Sequence, residues 1–288
     1  MPTSPRFEGL FMNHTPRVAA IHDLSGLGRC SLTVALPVLS VMGCQCAPMP
    51  TAVLSSQTGG VTGYTFLDMT DQMGPIATHW KAVDARFDAI YTGFLGSEDQ
   101  LSIVERFFDD FAQKDTLLLV DPVMGDDGAA YDTYGPQLIE GMKHLARRAH
   151  IITPNFTEAA FLLGLPADAL KAGTISPEEA VRQLSLEGRR SVVLTGFRRG
   201  ENTGSLCLDA GDGSITVTEN PCVELSFPGT GDLFASVLCG GLMQGRSLSE
   251  SAALAENFVH DCIVRTAELG LPRFHGVDFE PLLGQLIK

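Results

Sequence analysis

The sequence predicts an α/β domain with a mostly parallel central sheet and helices on both faces. Three observations carry that expectation. Short apolar runs rich in β-branched residues alternate along the chain with segments whose apolar residues recur at helical spacing, the pattern of βα units. Those runs are nearly continuous in apolar residues, as strands covered on both faces are. A chain of 288 residues, 44% hydrophobic and 19% charged, can bury one large core.

Residues 1–16 precede the first strand signal and read as a disordered leader, leaving 17–288 as a single domain. The leader has neither a basic region before an apolar core nor an A-x-A-like cleavage site, so a cytoplasmic location is expected. R-V-A-A-I-H-D (17–23) is the first strand. F-D-A-I-Y-T-G-F (87–94), T-L-L-L-V-D-P-V-M (116–124), H-I-I-T-P-N (150–155) and S-V-V-L-T-G-F (191–197) follow, with helical periods over 97–114 and 134–148 between them. A further helix spans 177–187, with Ser176 as N-cap and Pro177 as first helical residue. N-T-G-S-L-C-L-D-A (202–210) and S-I-T-V-T-E-N (214–220), joined by G-D-G, form an antiparallel hairpin at the sheet margin. Two helices close the chain, the last with Leu248, Ala252, Ala255, Phe258, Cys262 and Thr266 on its buried face.

The formal net charge is -14, from 34 acidic and 20 basic residues, which disfavours nucleic-acid and anionic-membrane partners. No apolar run has the length of a bilayer span. A small anionic ligand stays compatible with this charge, because backbone amides and a metal ion can hold it. The seven cysteines mostly lie in apolar segments and read as reduced core residues; Cys44-Gln-Cys46 lacks a second pair at zinc spacing.

Ligands of open parallel sheets bind beyond the carboxyl ends of the strands. Those ends carry Asp23, Asp121 in D-P-V-M-G-D, Asn155 and Glu158 in P-N-F-T-E, Thr195 in L-T-G, and finally Gly229-Thr230-Gly231-Asp232. Glycines let successive N–H groups converge at a helix start, which makes an anion hole, and an aspartate there can take a proton from a hydroxyl attacking a bound phosphate. A tight turn whose aspartate merely caps the helix is the alternative these four residues leave open. Asp121 and Glu158 are hard oxygen ligands suited to Mg2+, and Asn155 could add a neutral donor; taken singly, each also reads as a turn or helix-start residue. Gly26-x-Gly28-x-x-Ser31 falls short of the dinucleotide fingerprint, lacking its third glycine and the acid after the next strand. No G-K-[ST] of a Walker-A loop exists. His22 flanks Asp23 at a strand end and could line a pocket.

Taken together, G-T-G-D-L-F-A-S (229–236), D-P-V-M-G-D (121–126) and T-P-N-x-x-E (153–158) resemble the ribokinase superfamily, and within it the pyridoxal kinase family of vitamin B6 salvage. The resemblance covers about 17–269. I-H-D-L-S-G-L-G-R-C-S and T-A-V-L-S-S-Q-T-G are similar to a bacterial branch often labelled pyridoxamine kinase. The resemblance implies a ribokinase-like three-layer sandwich with a small flap over 125–134. It implies Asp232 as catalytic base, Gly229, Thr230 and Gly231 as anion hole, and Asp121, Asn155 and Glu158 as organisers of Mg2+ and the triphosphate. Thr195 matches a nucleotide-site threonine and Phe227 a residue near the adenine. ATP and Mg2+ are the implied cofactors, with K+ admitted as a third, and a homodimer is the implied assembly.

Two positions depart from the family pattern. Asp23 stands where serine is common, and Phe94 where the family has tyrosine; with Thr51, both face the vitamin ring in the family. A carboxylate at 23 could pair with the aminomethyl cation of pyridoxamine, so a preference for that vitamer is expected. The expected reaction is phosphorylation of the 5′-hydroxymethyl group of pyridoxal, pyridoxine or pyridoxamine by direct in-line transfer. The alternative is the hydroxymethylpyrimidine (phosphate) kinase of thiamine synthesis, which typically has cysteine at the Asp232 position. A non-enzymatic ligand sensor is a third class, disfavoured by the presence of the base, the acids and the anion hole together.

Overall fold

A computed structural model describes residues 14–59 and 61–288. The leader expected over 1–16 therefore lies outside the described residues except for 14–16. The chain runs β1 (Arg17–Leu27), α1 (Ser31–Val41), β2 (Gln45–Ser56), β3 (Phe66–Asp68), α2 (Thr70–Ala82), β4 (Ala89–Thr92), α3 (Glu98–Phe111) and β5 (Leu117–Val120). The short pair β6 (Gly125–Asp126) and β7 (Ala129–Ala130) follows, then α4 (Pro136–Arg148), β8 (Ile151–Ile152), α5 (Phe156–Leu163) and α6 (Pro177–Leu184). It ends with β9 (Ser191–Arg199), β10 (Asn202–Leu208), β11 (Ile215–Pro221), α7 (Thr230–Met243), α8 (Leu248–Glu268) and two 3-10 turns, Arg273–His275 and Glu280–Leu286.

One nine-stranded sheet has the order β11-β10-β9-β8-β5-β4-β1-β2-β3. Its six central strands pair in parallel, while β3 at one margin and β10–β11 at the other are antiparallel. Near-continuous apolar strands are explained by two separate cores. Val18 and Ala20 of β1, Tyr91 of β4 and Leu119 of β5 enter the core under α1, α7 and α8. Ala19, Ile21, Ile90 and Val120 enter the opposite core under α2 to α6. Successive strand residues point to opposite faces, so a strand between two helical layers has no face on which to place polar residues. This is the three-layer α/β sandwich expected from the sequence.

All six residues expected on the buried face of α8 are buried. Ser176 accepts from the Glu179 N–H at the start of α6, and Pro136 and Pro177 each occupy the first turn of their helix. The seven cysteines are all free thiols. Among the described residues no helix is long and apolar enough to cross a membrane.

Several elements differ from expectation, among them the strands over 87–94 and 116–124, which shorten to Ala89–Thr92 and Leu117–Val120. The strand over 150–155 shortens to Ile151–Ile152, because Pro154 has no N–H for the ladder. The helix over 177–187 stops at Leu184, and Leu186 and Glu187 turn into positive φ. Helix α2 forms although Gly74 and Pro75 interrupt its signal, and only Met73 of it is buried.

Candidate active site

Helix α7 starts at Gly229, whose φ of 82° is the left-handed conformation glycine adopts freely. A second constraint applies there: a Cβ on Gly229 would lie 1.9 Å from the carbonyl oxygen of Arg29, in the loop before α1. The starts of α1 and α7 are thus pressed together. Thr230 Oγ1 donates to the carbonyl of Phe227 at 3.2 Å, and no side chain caps the first turn of α7. At Gly231 a Cβ would meet nothing within 4 Å, so the backbone there faces open space. Uncapped amides at the positive end of a helix, beside open space, are an arrangement suited to an anion.

Asp232 sits in that first turn, its side chain 15% exposed. The backbone N–H of Ser31 donates to its carboxylate, and Tyr91 Oη donates to its backbone carbonyl at 3.4 Å. Ser31 has φ 49°, an unfavourable conformation for a residue with a side chain. Burial pushes the Asp232 carboxyl up to about 8; the Ser31 N–H opposes this, while the charges of Asp121 and Asp23 add to it. His22 lies beside it, with Nδ1 3.8 Å from Oδ1.

The acids at the other end are held by side-chain hydrogen bonds. Asn155 is the N-cap of α5: its Oδ1 accepts from the Glu158 N–H at 2.9 Å, and Glu158 Oε2 accepts from the Asn155 N–H at 2.9 Å. This is a reciprocal capping box. Glu158 Oε1 accepts from the Met124 N–H at 3.2 Å, and Asn155 Nδ2 donates to the Gly125 carbonyl at 2.9 Å. Gly128 N–H donates to Thr157 Oγ1 at 2.8 Å, so the β6–β7 flap is fastened to the start of α5. Asp121 Oδ1 accepts from Thr153 Oγ1 at 2.8 Å. Burial raises the Asp121 carboxyl above the usual carboxylate range, and burial followed by the charge of Asp121 raises Glu158.

Two buried carboxyls, one of which raises the proton affinity of the other, are a donor set that fits a dication. Among the described residues no three His, Cys, Asp or Glu side chains converge on one metal position. One or two carboxylates, with water and phosphate oxygens completing the shell, is the donor set Mg2+ usually takes.

The remaining expected residues fall into two groups. Thr195 is half-buried in the middle of β9 beside a bulge at Gly196, its N–H donating to the Pro154 carbonyl at 3.0 Å. Thr51 Oγ1 donates to the Phe94 carbonyl at 3.1 Å, and the Phe94 ring packs on Tyr134 with centroids 6.1 Å apart. Asp23, by contrast, is turned inward. Its Oδ2 accepts from Ser25 Oγ at 2.8 Å and its Oδ1 from Ser31 Oγ at 2.6 Å, so it ties the two ends of the glycine-rich turn. Asn155 has both ends of its amide engaged within the chain, so capping is the role its geometry displays. Phe227 is buried, 4% exposed, in the core under α1 and α7.

Four contributors were missed by sequence reasoning. Ser31 aims an N–H at Asp232, Tyr91 buttresses its backbone, Thr153 holds Asp121, and Thr157 anchors the flap. All four lay inside quoted stretches, Ser31 in I-H-D-L-S-G-L-G-R-C-S, Tyr91 in F-D-A-I-Y-T-G-F, and Thr153 and Thr157 around P-N-F-T-E, yet none was given these contacts. Ser31 and Tyr91 act from distant parts of the chain.

Residues 35–277 match the sequence profile of the family described as phosphomethylpyrimidine kinase. The chain is 29% identical over 231 residues to the hydroxymethylpyrimidine/phosphomethylpyrimidine kinase of Bacillus subtilis, covering 78% of this chain and 80% of that one. It is 27% identical over 267 residues to the pyridoxine/pyridoxal/pyridoxamine kinase of Bordetella bronchiseptica, covering 88% and 90%. Among solved structures, a putative phosphomethylpyrimidine kinase from Bacteroides thetaiotaomicron, crystallised with pyridoxal, is 39% identical and superposes with a TM-score of 0.88 over 95% of this chain and 96% of its own. Pyridoxal kinase from Lactobacillus plantarum superposes with a TM-score of 0.87 at 28% identity, covering 95% and 97%. The chain belongs to the phosphomethylpyrimidine kinase family of the ribokinase superfamily, a kinase of the pyridoxal and hydroxymethylpyrimidine type.

Proposed function

We propose that this kinase phosphorylates the 5′-hydroxymethyl group of a B6 vitamer with ATP, by direct in-line transfer, and that Asp232 is the general base. The observation that carries this reading is the carboxyl of Asp232 in the first turn of α7, beside the open amides of 229–231. An acceptor hydroxyl there has a proton acceptor on one side and an anion site on the other. Asp232 takes the hydroxyl proton as the oxygen attacks, and the amides of Gly229, Thr230 and Gly231 hold the charge that develops on the transferred group. Asp121 and Glu158 would hold Mg2+, which supplies neutralisation of phosphate charge. Thr195 lies on the nucleotide side, and Thr51, Phe94 and Asp23 on the acceptor side. Phe227 contributes through its carbonyl, which fixes Thr230.

Two points support a B6 acceptor. The Bacteroides thetaiotaomicron relative was crystallised with pyridoxal. The base position holds Asp232, where hydroxymethylpyrimidine kinases typically have cysteine. A second reading, hydroxymethylpyrimidine phosphorylation, is favoured by the description of the matching family and by the Bacillus subtilis relative. The test is ADP release from ATP and Mg2+ across pyridoxal, pyridoxine, pyridoxamine, hydroxymethylpyrimidine and ribose. Highest kcat/KM for a B6 vitamer is the expected result. Highest kcat/KM for the pyrimidine gives the second reading, and ADP release indifferent to every alcohol removes both.

A further inference from the structure

The proposed chemistry leaves one buried group beside the base without a task. His22 is the last residue of β1 before its pairing with β2 shifts register, and its side chain continues the face of Val18 and Ala20 toward α7. It is fully buried, and among the described residues neither Nδ1 nor Nε2 has a hydrogen-bond partner. Three neighbours fix its ring. Tyr91 meets it edge-on, centroids 4.3 Å apart and planes at 73°. Gly93 lies under it so closely that a Cβ there would fall 2.2 Å from Nδ1. Asp232 Oδ1 is 3.8 Å from Nδ1.

Burial lowers the His22 pKa to about 3, so the ring is neutral and the contact with Asp232 is not an ion pair. A neutral imidazole still carries one N–H. Buried donors are rarely left unpaired in native proteins. The 3.8 Å gap is too long for a hydrogen bond, yet less than an ångström of movement by Asp232 closes it. Catalytic hydrogen bonds are often long before ligands bind and tighten in the complex.

We infer that His22 is a positioning residue for Asp232: its Nδ1–H closes onto Oδ1 when the acceptor enters, leaving Oδ2 to face the acceptor hydroxyl. The inference rests on Asp232 being the base. The proton passes from the hydroxyl to Oδ2, and His22 neither gives nor takes one. A donor on the carboxylate favours its charged form, so His22 also helps keep the base deprotonated. The other titratable groups facing Asp232 are Asp23 from β1, Cys30 ahead of α1, Tyr91 from β4, Asp121 after β5 and Tyr131 after β7. Asp23 and Asp121 work against ionisation of Asp232, and the Ser31 N–H works for it. His22 would add a second supporting donor.

The experiment is the pH dependence of kcat, with saturating ATP, Mg2+ and pyridoxal, for the native chain, His22→Phe, His22→Gln and Asp232→Asn. His22→Phe keeps the buried ring and removes the donor; kcat at pH 7 should fall about ten-fold and the acidic limb should move up by about one pH unit, with KM for ATP unchanged. His22→Gln restores an amide donor and should recover part of both. An unmoved limb in His22→Phe, or no recovery in His22→Gln, overturns the inference. An acidic limb that survives in Asp232→Asn instead removes the base assignment, whatever the His22 variants do. Should His22→Phe fail to fold, 15N-histidine NMR of the native chain with ADP and pyridoxal decides: the Nδ1–H tautomer of His22 is expected, and the Nε2–H tautomer overturns the proposal.

Discussion

At the α7 end of the cleft the functional groups are held by backbone. Gly229 and Ser31 both have positive φ, Gly229 abuts the Arg29 carbonyl, and the donors aimed inward are amides. At the α5 end they are held by side chains: Asn155 and Glu158 form a capping box that also holds Met124 and Gly125, Thr153 holds Asp121, Thr157 holds Gly128, and Asn155 caps its helix from an ordinary extended conformation. The difference has a physical reason. Stabilising a developing charge needs donors fixed within tenths of an ångström, and backbone strain supplies that rigidity at a cost of about 1–3 kcal/mol per residue. A hydrated dication has some freedom of position, so hydrogen-bonded carboxyls suffice. The first end should therefore fail abruptly on substitution, the second by degrees.

Asp232→Asn is the largest expected break. Turnover should fall about 10²–10⁴-fold while the fold and nucleotide affinity persist; near-normal kcat would remove the α7 end from the chemistry. Gly229→Ala comes next. The methyl must enter the space of the Arg29 carbonyl and adopt φ 82°, so stability should drop by about 3 kcal/mol or more, with activity lost alongside. Denaturant unfolding measures this, and a loss below about 1 kcal/mol would mean that the two helix starts are not rigidly apposed.

Glu158→Gln tests the graded end. The Mg2+ concentration for half-maximal activity should rise several-fold, with vitamin affinity measured without ATP unchanged, and the weakened capping box should cost about 1 kcal/mol. An unchanged Mg2+ titration would return Glu158 to helix capping alone.

Burial raises the carboxyls at both ends. The folded-state pKa values of Asp232, Asp121 and Glu158 all lie above their unfolded values, Asp232 at about 8. Such groups stabilise the fold while protonated, and that contribution is lost as pH rises from the unfolded range of about 4 toward the folded pKa. His22, lowered to about 3, has the opposite sign, losing its contribution as pH falls below about 6.5. Above that pH the raised groups act in one direction, Glu256 of α8 and the buried thiols among them. The Tm in EDTA should fall by roughly a few degrees between pH 6.5 and 8.5, and Mg2+ with ADP should flatten the slope; a rising Tm would contradict the burial of these carboxyls.

The smallest effect is expected at Asp23. Because Ser25 and Ser31 occupy both of its oxygens, Asp23→Ser should change the ratio of kcat/KM for pyridoxamine and pyridoxal by less than about threefold, less than a new charge-assisted bond would give. A tenfold change would show that the carboxylate reads the amine after all.

The sheet, the capped helices and the marginal hairpin were legible because each is written locally, in apolar runs, in Ser176-Pro177 or in a G-D-G turn. The glycine and acid motifs were legible for the same reason. What escaped was contact between distant segments: Ser31 reaching Asp232, Gly93 making room for His22, and Phe227 turning into the core. No periodicity encodes these, since each depends on how the layers meet. Helix α2 escaped for a different reason, its packing overriding a glycine and a proline.

The junction of α1 and α7 has a third member. Gly276, with φ 71°, would place a Cβ 2.8 Å from the Arg29 carbonyl oxygen. Arg29 donates to Asp278 and Glu280, each at 2.8 Å, and Arg265 donates to the other oxygen of Asp278 at 2.9 Å. Gln57 adds a bond of 2.9 Å to the Phe274 carbonyl. The loop on which the start of α7 rests is therefore braced by residues 273–280, remote from it in sequence. Deleting 273–280 would keep every residue of the proposed catalytic set and remove the brace that aligns them.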